Sequence, residues 1–249
     1  MSPAARVPLE DVRAALRRLF IGAPDAALRK EDEQKAAEVA ALLGELSRRR
    51  RGGLVVDAAA GKAPVGLLAA ELLGFSRVVV IERDPGRADA CRDAATRLGT
   101  PAAVDVREGA VGDLAMWPER PDVAVALHAC GSAADDVIDA AIRVRARHLL
   151  LVPCCYGEGV PLSGAARGAL ERSPLPRQGE LRRRMESALV DAERTLRLEA
   201  GGFDVEVAAF VPPTVTPHNL LWRCRWAGEP VAMARAARDR AALLARLAG

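Results

Sequence analysis

The order of apolar and polar positions along the chain predicts strands and helices in regular alternation. Short apolar runs are separated by longer stretches that carry apolar residues at helical spacing. Such alternation is typical of a parallel sheet covered by helices on both faces and joined by right-handed crossovers. The strands are predicted at 54–57, 77–82, 102–106, 122–127 and 147–152, and the helices at 62–73, 85–98, 132–144 and 181–200.

The two ends of the chain carry different patterns. Residues 8–20 and 32–50 have helical spacing on either side of a break at 22–25, which predicts an N-terminal helical cap. Residues 203–211 and 220–226 lie at hairpin distance and predict an antiparallel pair that closes the sheet. We therefore predict a cap at 1–51 within the same domain as a core at 52–228, a C-terminal helix at 229–249, and a lid or substrate loop at 157–179.

Composition narrows the class of protein. A length of 249 residues fits one α/β domain. The net charge of +3 and the eight aromatic residues (four Phe, three Trp and one Tyr) argue against a dedicated stacking surface for nucleic acid, although 48–51 and 182–184 are basic runs. Five cysteines without framework spacing and no leader segment predict a reducing, cytoplasmic location. No run approaches the ~20 apolar residues of a membrane helix.

The first two strands carry a pattern that is typical of a nucleoside site. Asp57 closes the first strand, and a turn of small residues with Gly61 and Lys62 leads into a helix; Glu82 closes the next strand. In such a unit the backbone approaches the ligand at the turn, and the second carboxylate accepts hydrogen bonds from ribose hydroxyls. Asp57 can also cap the helix that follows it. The sequence therefore predicts a nucleoside-containing ligand at this edge of the sheet.

Two later strand ends carry side chains suited to chemistry. His128 and Cys130 follow the fourth strand, and Cys154, Cys155 and Tyr156 follow the fifth. The carboxyl ends of neighbouring strands face one crevice in an open α/β sheet, so both segments are expected to meet one ligand. A histidine titrates near neutrality, which suits His128 to position an acceptor group or to remove its proton.

These motifs resemble the class I S-adenosylmethionine-dependent methyltransferases. The similarity spans roughly residues 30–226 and rests on Asp57-x-x-x-Gly61-Lys62, Leu127-His128-Ala129-Cys130-Gly131-x-x-x-Asp135 and Pro153-Cys154-Cys155-Tyr156, with weaker signatures at Lys35-x-x-Glu38-Val39 and Pro217-His218-Asn219. The branch it resembles includes the methyltransferase-like domain of the glutathione S-transferase C-terminal-domain-containing protein and the eukaryotic tRNA acceptor-stem 2′-O-methyltransferase. The resemblance implies a Rossmann-like seven-stranded sheet with an antiparallel last hairpin, and S-adenosylmethionine as cofactor.

The resemblance also implies roles for individual residues. Cofactor contacts are expected from Asp57, Ala59, Gly61, Lys62, Glu82, Arg83, Asp113 and His128. Acceptor contacts are expected from Lys35, Tyr156, His218 and Asn219, and catalytic roles from His128, Cys154, Cys155 and Tyr156. Ala59 and Ala63 stand where the family usually has glycine, so the space for the methionine part of the cofactor is narrower. Asp113 takes the adenine-contacting position in one register, and Ala110 takes it in another.

The roles of the cysteines and of Asp135 stay open at this point. Cys130, Cys154 and Cys155 can pack beneath the cofactor, can supply a thiolate that adds to a pyrimidine as in RNA cytosine-5 methyltransferases, or can bind zinc together with His128. Adjacent cysteines depart from the usual spacing of zinc ligands, so we predict that no metal is required. Asp135 can face a helix dipole or orient His128.

The sequence thus predicts a methyltransferase that acts mainly by holding an oxygen or nitrogen acceptor in a dry pocket beside an activated methyl group. The resemblance favours transfer or ribosomal RNA as the acceptor. A small molecule or a protein side chain is the alternative acceptor. A non-catalytic partner protein that only binds the cofactor is a further alternative, motivated by the two alanines in the glycine loop.

Overall fold

One seven-stranded sheet forms the centre of the computed structural model, which describes residues 7–21, 27–48, 53–62, 64–157 and 159–249. The strands are β1 (Leu54–Ala58), β2 (Arg77–Glu82), β3 (Ala103–Glu108), β4 (Val123–Ala129), β5 (His148–Pro153), β6 (Phe203–Ala209) and β7 (Leu220–Trp226). Their order is β3-β2-β1-β4-β5-β7-β6. Strands β1 to β5 pair in parallel, whereas β7 runs antiparallel to β5 and β6. The predicted fold class is confirmed.

Helices cover both faces of the sheet. They are α1 (Leu9–Leu16), α2 (Lys30–Leu46), α3 (Pro64–Leu73), α4 (Pro85–Ala95), α5 (Ala133–Arg143), α6 (Ser163–Arg172), α7 (Gly179–Ala200) and α8 (Pro230–Ala248), with a π-helical turn at Arg17–Ile21. Successive strand residues point to opposite faces, so Val55 packs in the core under α1 to α4 and Val56 in the core under α5 and α7. Strands β1, β2, β4 and β5 are buried on both faces, which explains why their runs are almost wholly apolar.

The N-terminal helices pack on α3 and form a cap. Val12, Leu19 and Leu42 are fully buried in the same core as α3, and Arg18 pairs with Glu71 on that helix. Burial of three such side chains stabilises this contact by about 5 to 9 kcal/mol before the entropy cost of ordering is subtracted. The predicted break at 22–25 and residues 49–51 of the basic run lie outside the described residues.

The segment 157–179 is not a loop throughout, which corrects the prediction. It contains α6, whose buried residues Ser163, Ala166 and Leu170 are three and four positions apart and form a helical stripe. The stripe is made mostly of small side chains in a segment rich in glycine and proline, so hydrophobicity alone did not reveal it. This helix packs against α7 and α8.

The direction of strand addition reverses between β1 and β4, which are hydrogen-bonded neighbours. Crossovers that follow these two strands leave toward opposite sides of the sheet. Ligands of open α/β sheets bind in the crevice that this reversal opens at the carboxyl ends of the strands. Asp57 in β1 and His128 in β4 lie at that end.

Candidate active site

A cavity of about 760 Å³ lies between the cap and the carboxyl ends of β1 and β4. Its volume falls within the range of small-molecule and cofactor sites. The cap contributes apolar side chains to its wall, among them Leu16, Phe20 and Ile21. Of the predicted site residues, the cavity brings together Lys35, Asp57, Ala59, Gly61, Lys62 and His128.

Asp57 forms the floor of the cavity and ties β1 to the start of α3. Its side chain is 1% exposed, and its Oδ2 accepts a hydrogen bond of 2.7 Å from the Gly66 N–H. Glycine is needed at 66 because a Cβ there would lie 2.9 Å from the Asp57 Cβ and 3.0 Å from Val78 Cγ1. Burial raises the pKa of Asp57 to about 7, although the bond from Gly66 acts in the opposite direction.

The turn after β1 has a left-handed backbone at two positions. Ala59 has φ 52° and Gly61 has φ 61°. Glu82 at the end of β2 holds this turn, because its Oε2 accepts a 2.7 Å hydrogen bond from the Gly61 N–H and its Oε1 accepts a 2.9 Å bond from the Asp84 N–H. Glu82 thus lies beside the turn, outside the residues that line the cavity, and each of its carboxylate oxygens keeps a further lone pair. Its contact with the ribose stays a prediction. Ala63 lies outside the described residues.

Ala59→Gly is expected to stabilise the fold by about 0.5 to 1 kcal/mol. An alanine in the left-handed region is strained by roughly 1 to 2 kcal/mol, and glycine removes this strain. The greater conformational freedom of glycine in the unfolded chain offsets only part of the gain. Ala60→Gly is the matched control. Ala60 has an ordinary negative φ, so the same change there should destabilise by a similar amount. Urea unfolding of the two variants measures both effects; equal destabilisation would contradict the strained turn.

His128 is the extra residue of a bulge in β4. Leu127 pairs with Val152 and Ala129 with Pro153, which leaves His128 unpaired in the ladder with φ 62°. Bulges beside active sites re-aim a side chain, and a left-handed histidine is uncommon enough to indicate a functional constraint. The imidazole lines the cavity.

The carboxylate of Glu38 in α2 forms a hydrogen bond with the imidazole of His128. Its Oε2 lies 2.8 Å from His128 Nε2 and 3.7 Å from Lys35 Nζ, and the Glu38 side chain is 2% exposed. Burial acts to raise the pKa of the Glu38 carboxyl, but the hydrogen bond and charge of His128, together with Lys35, outweigh it and leave the pKa below its ordinary value. Glu38 was absent from the predicted site, although it stands in the signature that contains Lys35. A carboxylate on the predicted apolar face of a helix was the signal that could have found it.

The three cysteines of the strand ends meet beside His128. Cys130 Sγ lies 2.7 Å from Cys154 Sγ, and Cys154 Sγ lies 3.4 Å from Cys155 Sγ. The imidazole of His128 is not part of this group of sulfur atoms, and its Nε2 contacts Glu38 instead. Burial raises the pKa of the Cys130 and Cys154 thiols, which opposes formation of a thiolate nucleophile at either position.

Tyr156 turns away from the cavity toward α7. Its hydroxyl donates a 3.0 Å hydrogen bond to Asp191 Oδ2, and the Arg194 guanidinium lies over its ring. Burial raises the pKa of Asp191 to about 6, although the bond from Tyr156 and the charge of Arg194 act to lower it. Asp135 pairs with Arg194 at 2.8 Å and with Arg197 at 2.9 Å, so it anchors α5 to α7 and does not orient His128.

The remaining predicted residues make contacts outside the cavity wall. Asp113 caps a short 3₁₀ turn through the Ala115 N–H, and Asn219 Nδ2 donates to the Val211 carbonyl between β6 and β7. His218 and Arg83 are exposed. Contacts of these four residues with cofactor or acceptor stay predictions.

Comparisons with known proteins agree with this geometry. The sequence profile of a family described as a methyltransferase domain matches residues 29–159, just over half of the chain. The glutathione S-transferase C-terminal domain-containing protein of Bos taurus is 26% identical over 194 residues, which cover 70% of this chain and 30% of that protein. The chain therefore spans less than a third of that relative's length.

Solved structures share the fold. Trm1 from Pyrococcus horikoshii in complex with S-adenosyl-L-methionine superposes with a TM-score of 0.55 at 13% identity and covers 84% of this chain and 58% of that chain. A putative methyltransferase in complex with the Trm112 activator of Haloferax volcanii gives 0.51 at 14% identity, with 81% and 94% covered.

The strand order and the crevice at the ends of β1 and β4 define a class I methyltransferase. With more than half of its length matched, the chain belongs to the methyltransferase-domain family. Within the described residues, no helix combines the length and apolar character that a bilayer crossing needs.

Cofactor affinity is expected to rise roughly tenfold between pH 6 and pH 8. Burial raises the pKa of Asp57 to about 7. An ammonium group of S-adenosylhomocysteine bound beside this carboxylate would favour its ionised form. Binding therefore releases a proton below pH 7 and weakens there. If only the ionised form binds, its fraction rises from about a tenth to about nine tenths over this range. Calorimetric titrations across the range measure the slope.

Two variants assign the titrating group. Asp57→Asn removes the titration and can still accept a hydrogen bond from Gly66, so its affinity should not change between pH 6 and pH 8. His128→Asn changes a different polar side chain of the cavity wall and should keep the wild-type slope. A slope that persists in Asp57→Asn would show that the titrating group is not Asp57.

Proposed function

We propose that the protein transfers a methyl group from S-adenosylmethionine to an oxygen or nitrogen atom of RNA, with His128 accepting the proton of the acceptor and Glu38 orienting His128. The observation that carries this proposal is the 2.8 Å contact between His128 Nε2 and Glu38 Oε2 at the cavity wall. A carboxylate that holds an imidazole beside a reacting group is the arrangement of a positioned general base.

The residues around the turn after β1 fit the cofactor. The cavity is large enough for a nucleoside with an amino-acid tail, and its floor carries the buried carboxylate of Asp57. Glu82 offers free lone pairs to ribose hydroxyls, and the exposed Lys62 at the rim can meet the cofactor's carboxylate. When bound, the cofactor supplies a methyl group already activated on a sulfonium. Ala59 keeps the left-handed turn, so its methyl group has not abolished the shape of the loop.

Glu38 decides which nitrogen of His128 is basic. A carboxylate accepts, so Nε2 carries the proton and donates to Glu38 Oε2. Nδ1 then keeps a lone pair and can accept a proton from a hydroxyl or amine. When it does, the ring becomes cationic and Glu38 stabilises that charge. The buried carboxylate therefore both fixes the tautomer and favours the protonated product state.

Basic side chains around the cavity favour a phosphate-bearing acceptor. Lys62 and Arg87 are exposed residues of the cavity wall, and Lys35 lies deeper, beside Glu38. Such residues can contact the phosphates that flank a target nucleotide and fix its position. The family resemblance also favours RNA. We further propose a cytoplasmic location, since the five cysteines of the described chain are all free thiols.

The test is transfer of a labelled methyl group. The protein is incubated with methyl-labelled S-adenosylmethionine and with RNA, protein and small-molecule fractions of a lysate from its source. Label is expected in RNA, on an oxygen or nitrogen when nucleosides are analysed by mass spectrometry. Arg87→Ala should raise the KM for RNA and leave the cofactor Kd unchanged, whereas Arg246→Ala, on α8, is the matched control and should change neither.

Other outcomes decide between the alternatives. Label in the protein or small-molecule fraction would replace RNA as the acceptor class. Label on C5 of a pyrimidine, trapped as an adduct by 5-fluoropyrimidine RNA, would make a cysteine the catalytic group. Cofactor binding without label in any fraction would favour a non-catalytic partner protein.

A further inference from the structure

Three thiols from two neighbouring strand ends form a cluster outside the cavity wall. The Sγ atoms of Cys130, Cys154 and Cys155 all lie within 4.8 Å of one another. Cys130 follows the bulge of β4, and the other two follow Pro153 at the end of β5. Cys130 and Cys155 are exposed and Cys154 is buried, so solvent reaches the cluster from one side.

The cluster can hold a shared thiophilic cation after a small outward movement of its sulfurs. Zinc with Zn–S bonds of about 2.3 Å holds tetrahedral sulfur ligands roughly 3.8 Å apart. The contacts here are 2.7 Å between Cys130 and Cys154 and 3.4 Å between Cys154 and Cys155, so an ion needs the sulfurs to spread by about 1 Å at most. Cys130 and Cys155 have room to do so because they face solvent.

We propose that Cys130, Cys154 and Cys155 form a binding site for a thiophilic divalent cation, with Zn²⁺ as the expected ion. Three Zn–S bonds form, and the three thiol protons pass to solvent. The site is separate from the cofactor cavity and does not depend on the acceptor. It leaves one position of the metal for water or an added ligand, as in zinc sites with three protein ligands.

The spacing of the cysteines along the chain argued against a zinc site, but the fold brings the three thiols together. Adjacent cysteines depart from the usual ligand spacing, which led to the prediction that no metal is required. The parallel pairing of β4 with β5 brings Cys130 to the other two, although 24 residues separate it from Cys154. A Cys130–Cys154 disulfide is the competing outcome. It needs contraction to about 2.05 Å and leaves Cys155 without a role.

The experiment is a metal titration of the reduced, chelator-treated full chain. Zn²⁺ binding is followed by competition with a chromophoric chelator, and Co²⁺ replaces it as a spectroscopic probe for sulfur-to-metal charge-transfer bands. We expect one equivalent of Zn²⁺, thiolate bands with Co²⁺, and no competition from Mg²⁺. Cys155→Ser should weaken Zn²⁺ binding by about 100-fold or more, because each thiolate contributes a large share of the affinity of such sites.

Controls keep a folding defect separate from loss of a ligand. Cys155 is exposed, so its serine variant should retain the wild-type unfolding temperature. Cys224→Ala, a buried cysteine of β7 outside the cluster, should bind Zn²⁺ like the wild type. The proposal is overturned if the reduced protein binds no Zn²⁺ at micromolar concentration, if Cys155→Ser binds it normally, or if mass spectrometry finds a Cys130–Cys154 disulfide that persists under mild reduction.

Discussion

His128→Ala is expected to lower the rate of methyl transfer by about 10²–10⁴-fold while changing the cofactor Kd by less than about threefold. The imidazole lies at the end of β4 with its Nε2 bonded to Glu38, so its loss removes the group proposed to accept the proton. It leaves Asp57 and Glu82 in place for the cofactor. Single-turnover rates with the labelled acceptor, together with calorimetric cofactor titrations, measure the two quantities separately.

Glu38→Gln is the companion variant. Its side chain keeps nearly the same shape and loses the charge that fixes the tautomer of His128, so the rate should fall by about 10²-fold. Combined with His128→Ala, it should add little further loss, because the two side chains act as one unit.

Glu45→Gln provides a matched control. It removes a buried carboxylate of the same helix that pairs with Arg223, away from the cavity, and should leave the rate unchanged. Additive losses in the double variant would show that the two residues act independently, and normal turnover in His128→Ala would show that the pair only stabilises the bulge.

Glu82→Ala is expected to weaken cofactor binding by about 10- to 100-fold, or roughly 1.5 to 3 kcal/mol. The substitution removes the carboxylate proposed to meet the ribose hydroxyls. It also removes the hydrogen bonds that hold Gly61 and Asp84, so the turn itself loses support. Calorimetry with S-adenosylhomocysteine measures the loss.

Glu108→Ala separates a specific contact from a general loss of charge. Glu108 lies opposite Glu82 on the neighbouring strand β3, and its side chain is exposed. Its substitution should leave the affinity within about twofold of wild type, because an exposed carboxylate adds little at this distance. Wild-type affinity in Glu82→Ala would remove Glu82 from the cofactor site.

Local pattern was sufficient for most of the fold. Short runs separated by helical spacing predicted β1 to β5; the central strands β1, β2, β4 and β5 are apolar because they are buried on both faces, whereas the edge strand β3 is partly exposed and carries charged residues. The alternating pair near the C-terminus predicted the antiparallel β6 and β7. Helix α6 was missed because its buried stripe is made mainly of small residues and does not stand out as hydrophobic.

The chain alone also indicated which strand ends carry the candidate site residues, since Asp57, Glu82 and His128 each close an apolar run. Tertiary structure decided what those residues touch. Glu38 and His128 are 90 residues apart, and only packing of the cap over β4 brings their side chains to 2.8 Å. Tertiary packing likewise decided the partner of Asp135, which forms an ion pair with Arg194 of α7. The periodicity of apolar residues indicates whether a side chain is buried. The partners of that side chain depend on how distant elements pack, and no local sequence pattern encodes this packing.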